Sequence, residues 1–345
     1  MATNPSSLSQ LNWPALLPLS NAELAQQDIA AVNLACAVGL PGTETIEIPA
    51  ALKLLDRWAE RVFDLTQRSP WFLQNPAKYD NSFNLFRIHV LFSVLSREFG
   101  FYYSPNCIPE NATPRPIDTF IHGLLQGSGG NCASLPVIFI AVGRRLGYPL
   151  KLVKAKLHYF ARWDEPEGER FNIEVSQRQG SFDCYSDDHY RNWPHPIAPE
   201  REAEGSFLIS LSPWQELAAF LNERGFCWRW LENYQAATEA FLQAKMMEPD
   251  NRYYGTWLAT ALKDWREHLQ AQLPPNFPQV TFVASPQRRY PPELVPLAYE
   301  RQLLSLQTLQ NLLDEPEYQR WWQLLRQHPN ARPKEVTRQI IHKFH

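Results

Sequence analysis

Six of the chain's 14 glycines, at positions 123, 127, 129, 130, 143 and 147, crowd into one short stretch of a 345-residue sequence that carries 29 prolines. Glycine enters left-handed backbone freely and admits another chain at close range, whereas proline fixes φ and removes a donor. Permissive backbone is therefore concentrated at one place, the loop GSGGN, directly before Cys132 and the apolar run CASLPVIFIAVGRRLGY. That run reads as a helix ending at Gly147, and Pro136 must occupy its first turn or kink it. Cys132 accordingly sits at or just before a helix N-terminus.

After Pro149 the residues LKLVKAKLHYFARW read as one strand. Beyond the turn DEPEGE, the segment FNIEV alternates Phe171, Ile173 and Val175 against Asn172 and Glu174, which is the period of a second strand. The local order is helix, strand, turn, strand. Upstream, apolar spacing predicts helices over 21–38, capped by Asn21 and stopped by Gly39, over 49–67, and over 81–98, stopped by Gly100. Past Ser212 the chain is helical again. Gly225, Ala237, Phe241, Ala244 and Pro249, with Leu221, Trp228 and Tyr234, fall on the tetratricopeptide pattern of about 34 residues, and a partial second unit follows from 252. Seven prolines between 274 and 296 mark a connector, and helices are predicted over 300–313 and 318–327.

The expected organisation is an α+β chain: a helical region over 1–105, a core over 106–211 with a helix packed on a small antiparallel sheet, tetratricopeptide-like repeats over 212–272, and a connector with terminal helices over 273–345. Trp228, Trp230, Trp257, Trp265, Trp321 and Trp322 are read as core between stacked helices, with a peptide-binding groove as the alternative. Apolar residues at 44% argue for a globular chain. A net charge of −3 argues against nucleic acid or an anionic membrane as partner. The N-terminus lacks a signal-peptide pattern and no stretch is apolar enough to span a bilayer, so a cytoplasmic location is expected. Five irregularly spaced cysteines fit reduced thiols.

A helix N-terminus favours a thiolate, and its free N–H groups can hold an oxyanion. Cys132 is the candidate nucleophile, with Gly127, Gly129 and Gly130 letting a substrate backbone approach. His158, at the front of the strand, is the candidate base, and Glu174, on the polar face of the next, is the group that orients it, provided both point to the helix side. Each residue alone has a bland reading: a buried cysteine, a packed histidine, a solvated glutamate. Their order and context together favour a triad.

The segments GSGGNCASLPVIFIAVGRRLGYPL, LHYFARWD and FNIEVS resemble the transglutaminase-like superfamily, in which a cysteine, a histidine and an acidic residue occur in this order on a papain-like helix and sheet. LISLSPWQELAAFLNERG is similar to the core-to-repeat junction of a bacterial branch with N-terminal helices and C-terminal tetratricopeptide repeats. The resemblance spans roughly residues 20–265. It implies that Cys132 attacks a peptide or protein amide, His158 shuttles the proton and Glu174, where the superfamily mostly has Asp, orients the imidazole. No cofactor is implied. The competing expectation is a non-catalytic adaptor with a relic core whose repeats recruit a protein.

Asn131 is an added candidate oxyanion donor, as is Gln126, better read as a turn residue. Arg162 is read as a ligand for a substrate carboxylate or as a salt-bridge partner of Glu174 or Asp164, and Asn172 as a triad assistant or a solvated residue. Cys184, His189 and His195, near Asp183, Asp187 and Asp188, lack a recognised zinc spacing and read as a polar, aromatic loop near the cleft, not a metal site. Lys151, Lys154 and Lys156 read as a solvated strand face. GSGGN lacks the lysine and spacing of a phosphate loop.

Overall fold

The computed structural model describes residues 11–68, 70–108, 115–177 and 181–271. Ser20 and Glu23 form a capping box on the turn Asn21–Leu24, and Asp28 caps α1 (Ile29–Ala37), accepting from the Ala30 N–H at 2.8 Å. The single helix expected over 21–38 is thus two pieces, because the Asp28 carboxylate caps a new helix start by accepting from the Ala30 amide. α2 (Ile48–Arg68) buries Leu55, Trp58 and Val62, and α3 (Phe83–Ser93), capped by Ser82, continues into a π-helical turn at Val94–Glu98. All three pack around α4 (Leu135–Arg145), which is buried from Leu135 to Gly143 and has its proline in the first turn.

The sheet follows: β1 (Leu150–Ala155), β2 (His158–Asp164) and β3 (Arg170–Ile173), antiparallel in the order β1-β2-β3. The strand expected from Pro149 onward is a hairpin, not one strand. Ala155 pairs with His158 across the two residues Lys156 and Leu157, and Leu157 takes φ 61°, a left-handed turn that reverses the chain. One sheet face, with Leu150, Leu152, Ala161, Trp163 and Ile173, joins the α4 core. The other carries Val153, Ala155 and Phe160 against Tyr190, Ile197, Phe207 and Leu208. Both edges are covered. Leu208 and Leu211 donate to the carbonyls of Lys154 and Leu152 beside β1, and Glu174 exchanges backbone hydrogen bonds with Asp183 beyond β3.

α5 (Asp187–Asn192) lies over that second face. The C-terminal helices α6 (Pro213–Trp230), α7 (Tyr234–Met247) and α8 (Arg252–Ala271) pack in succession, and α6 also packs on α1. Arg144 reaches from α4 to both oxygens of Glu216 at 3.1 and 2.5 Å. Gly225 lets the Phe241 ring lie where a Cβ would come within 2.6 Å of it. The half-buried Trp257 packs edge-on against Phe226. The partial unit expected from 252 is one long helix. The connector over 274–296, the helices over 300–313 and 318–327, and Trp321 and Trp322 lie outside the described residues.

Lys154 departs from the solvated-face reading, whereas Lys156 is exposed and Lys151 half-buried. The Lys154 side chain is buried, and Nζ has no hydrogen-bond partner among the described residues and sits 4.2, 4.8 and 5.5 Å from the ring centroids of Tyr254, Tyr253 and Phe207. Its charge alone suggested a solvated position, but it shares parity with Leu150 and Leu152, and residues far along the chain cover it. Burial lowers its pKa to about 8 against the pull of Glu248 and Glu223. A lysine whose folded pKa lies below its unfolded value destabilises the fold at low pH, and the cost is relieved as pH rises between the two. Wild type should therefore gain stability relative to Lys154→Met between pH 8 and 10.5, by up to about 3 kcal/mol. Denaturant unfolding of both proteins across that window checks it, and a pH-independent difference would contradict the buried ammonium.

Candidate active site

The glycine loop is shaped by a neighbouring segment of the same chain. Gly130 donates to Tyr102 O at 3.1 Å and accepts from Ser104 N at 2.7 Å. Gly129 takes φ 77°, and a Cβ there would stand 2.7 Å from the Tyr102 ring. The close approach predicted for substrate is thus made by residues 102–104. Asn131, next in line, builds the turn. Its carbonyl accepts from the N–H groups of Ser134 and Leu135, its Oδ1 accepts from Ala133 N at 2.8 Å, and its Nδ2 donates to Thr119 Oγ1. The amides of Ala133, Ser134 and Leu135 are consumed in this way, which removes the expected set of oxyanion donors at the helix start. Cys132 stands just before the helix, half-buried, and its own N–H has no hydrogen-bond partner among the described residues.

His158 and Glu174 share a sheet face. Arg162 pairs with Asn172 in the β2–β3 register, so Glu174 follows diagonally from His158. That face is the one turned away from α4, not the helix side, and Cys132 meets it because the turn before α4 lies at the end of the sheet where β2 begins. The His158 Nε2 and Glu174 Oε2 are 2.6 Å apart, and the imidazole also hydrogen-bonds the Cys132 thiol. With Nε2 engaged by the carboxylate, Nδ1 is the nitrogen that can serve the sulfur.

Glu174 is held from every side. Oε1 accepts from Ser176 N at 2.9 Å and from the Ser176 hydroxyl, and Oε2 accepts from Tyr190 OH at 3.1 Å. Neither Ser176 nor Tyr190 was singled out from the sequence. Ser176 was findable, because it shares strand parity with Glu174, whereas Tyr190 arrives on α5 and stacks on Phe160 at 3.7 Å, which no spacing announces.

Burial works against a charged imidazole, but hydrogen bonds to Cys132 and Glu174, and their charges, outweigh it and hold the His158 proton to about pH 10. Burial likewise opposes ionisation of Glu174, yet the bonds from His158 and Ser176 leave its pKa below the ordinary carboxylate value. At neutral pH the pair is imidazolium and carboxylate, with His158 only 5% and Glu174 only 2% exposed, so water screens it little.

The other predicted substrate ligands are scaffolding. Arg162 is fully buried, gives three of its N–H groups to Asn172 Oδ1 at 2.6 Å, Leu208 O at 3.0 Å and Asp187 Oδ1 at 2.6 Å, and bonds neither Glu174 nor Asp164, so it is held in the fold and does not line the cleft where a substrate carboxylate would sit. Asn172 donates to Tyr185 O and Asp187 Oδ1, tying β3 to the start of α5 instead of assisting the triad. Gly130 and Asn131 are committed to the loop. Gln126 is exposed and bonds Thr45. The described residues hold no group of three His, Cys, Asp or Glu side chains placed for a metal. All five cysteines are unpaired.

Cys132, His158 and Glu174 open onto one cavity of about 610 Å³, bounded also by Tyr103, Leu157, Ser176, Gln177, Tyr185, His189, Trp193, Pro194 and His195. No family model, curated protein or solved structure matches the chain. No helix among the described residues is long and apolar enough to cross a membrane.

Proposed function

We propose that this chain is a cysteine-nucleophile acyl-transfer enzyme acting on a peptide or protein amide, with a Cys132–His158–Glu174 triad on a papain- and transglutaminase-like core. The observation that carries the reading is the continuous relay from carboxylate to imidazole to thiol, shielded from water and opening on a cleft. An imidazolium beside the sulfur stabilises the thiolate that attacks the carbonyl carbon. The Cys132 N–H faces the oxyanion, and His158 returns its proton to the departing amine as the C–N bond breaks, leaving a thioester. Water or a second amine then attacks that thioester with His158 as base, releasing acid or new amide. Every step uses side chains already in the cleft and needs no cofactor. We read α6–α8 as tetratricopeptide-like helices, supported by the Gly225 and Phe241 contact, which serve the core first and a protein partner second. Five unpaired thiols support a reducing, cytoplasmic setting.

Thiol reactivity tests the proposal. Treated with iodoacetamide at pH 6, the protein should gain one adduct that Cys132→Ala abolishes, and His158→Ala should slow it at least about tenfold, because an ordinary thiol with a pKa of about 8.5 is almost wholly protonated there. Equal rates in wild type and His158→Ala would leave the adaptor reading in possession.

A further inference from the structure

From the row of rings that runs into the active site, we infer that Tyr185, His189 and Trp193 form a specificity shelf for the acyl substrate, and that it takes an uncharged peptide segment bearing an aromatic or large apolar side chain. The inference rests on the acyl-transfer reading above and names the substrate class of that site.

The three residues are spaced by four positions along and beside α5, so they project to one side of it. Tyr185 stacks on His189 at 4.1 Å between centroids, His189 lies 5.3 Å from Trp193, and Trp193 meets the His158 imidazole edge-on at 4.8 Å. All three line the cavity that holds Cys132. The adjoining side of α5 is anchored by Tyr190, which is completely buried, stacked on Phe160 and bonded to Glu174. The shelf is therefore fixed to the same elements that fix the triad.

Its exposure is unusual for its composition. Trp193 and Leu157 are each 43% exposed, and both line the cleft that His158 lines. Leu157 does so in a left-handed backbone conformation, which is unfavourable for a branched-chain residue. Large apolar groups left open beside a nucleophile are a surface awaiting an apolar group.

The nearby charges are already spoken for. Asp187 is bound by Arg162 and Asn172, Asp183 by Gln177 and the Tyr185 hydroxyl, and Glu174 by His158, Ser176 and Tyr190. Among the described residues the cavity lining includes no Lys, Arg or Asp, and its one carboxylate, Glu174, is already held, so neither an acidic nor a basic side chain would find a free ammonium, guanidinium or carboxylate on this wall. Because the row ends on the catalytic imidazole, its occupant is joined to the carbonyl that Cys132 attacks and is not an independent partner.

Peptidyl chloromethyl ketones that differ only in the residue before the warhead (Phe, Leu, Gly, Asp or Lys) test the shelf, with the Cys132 adduct followed by intact mass. Wild type should react with the Phe and Leu probes about tenfold faster than with the Gly probe, the scale at which an apolar pocket discriminates, and with the Asp and Lys probes no faster than with Gly. In Trp193→Ala the Phe-to-Gly ratio should collapse toward one, while Trp193→Phe keeps most of it. Each ratio is taken within one protein, so a general loss of folding or reactivity cancels, and Tyr185→Ala supplies a second disruption should Trp193→Ala fail to fold. A flat probe series in wild type, a preference for Asp or Lys, or a ratio that survives in the alanine variants would overturn the shelf. Iodoacetamide reactivity that is independent of His158 would instead bring down the acyl-transfer reading itself.

Discussion

Glu174→Ala should lower the stability of the fold by about 3–5 kcal/mol and flatten its pH dependence, because it strips the partner from a buried charge. The carboxylate accepts from His158, from Tyr190 and twice from Ser176, and these nearly buried donors all lose their acceptor at once when it is gone. For a chain of this size the loss corresponds to roughly 4–7 °C in Tm. The sign of the pH effect follows from the two shifts. The folded pKa of His158 is raised from 6.5 to about 10, so its contribution is complete below pH 6.5 and drains away as pH climbs toward 10. The folded pKa of Glu174 is lowered from 4.5, so its contribution is complete above pH 4.5 and is lost as pH falls through the folded value. The pair thus stabilises most between about pH 4.5 and 6.5, and Glu174→Ala should lose both limbs. Cys132 alkylation should slow with it, by about 10²-fold, since His158 would keep neither its orientation nor its proton. Thermal unfolding from pH 4 to 10 decides the matter: parallel profiles for variant and wild type would mean that the pair carries no differential proton binding.

The parts of this arrangement that were readable in advance are those set by local rules. Glycines before Cys132, an apolar run behind it and the strict alternation of 171–175 each act over a few residues, and the three side chains they singled out lie around one cleft. What escaped depends on residues far apart in the chain. The strand break at Leu157 is a turn without glycine, asparagine or proline at its centre, so no turn chemistry marks it. Which sheet face holds His158 and Glu174 is decided by the layer from Asp187 to Leu208, whose apolar residues Tyr190, Ile197, Phe207 and Leu208 show no clear period. Arg162 and Asn172 had the right parity for a site but found Asp187, and once a buried guanidinium is satisfied it is structure, not ligand. Lys154 went the same way, covered by Phe207 and by two tyrosines from α8. Ion pairing and burial of this kind are tertiary facts, and a period-two pattern cannot tell a face that meets water from one that meets another segment.

Gly123→Ala should be the most damaging single methyl added to the loop region. A Cβ at this position would stand 1.7 Å from the Ile117 carbonyl oxygen and 2.8 Å from its carbonyl carbon, and backbone cannot rotate out of the way as a side chain can. The displaced segment matters to the nucleophile. Asp118, the neighbour of Ile117, offers the carbonyl that accepts from Asn131 N at 3.1 Å and from Ser134 Oγ at 2.7 Å, and those two residues bracket Cys132. A shift of an ångström at Ile117 is therefore passed to the sulfur, and misplacement on that scale can cost about 10² in rate. The expected result is a stability loss of about 3 kcal/mol, at the upper end for overpacking, together with a fall of tenfold or more in the His158-dependent alkylation of Cys132. Gly127→Ala is the informative comparison. Its backbone is left-handed at φ 79° but nothing among the described residues lies within 4 Å of an added Cβ, so it should cost only the conformational penalty of about 1–2 kcal/mol and spare the thiol. If the two variants prove equally mild in denaturant melts and alkylation rates, the Pro116–Thr119 segment yields freely, and the turn that presents Cys132 is held by α4 and residues 102–104 without help from Asp118.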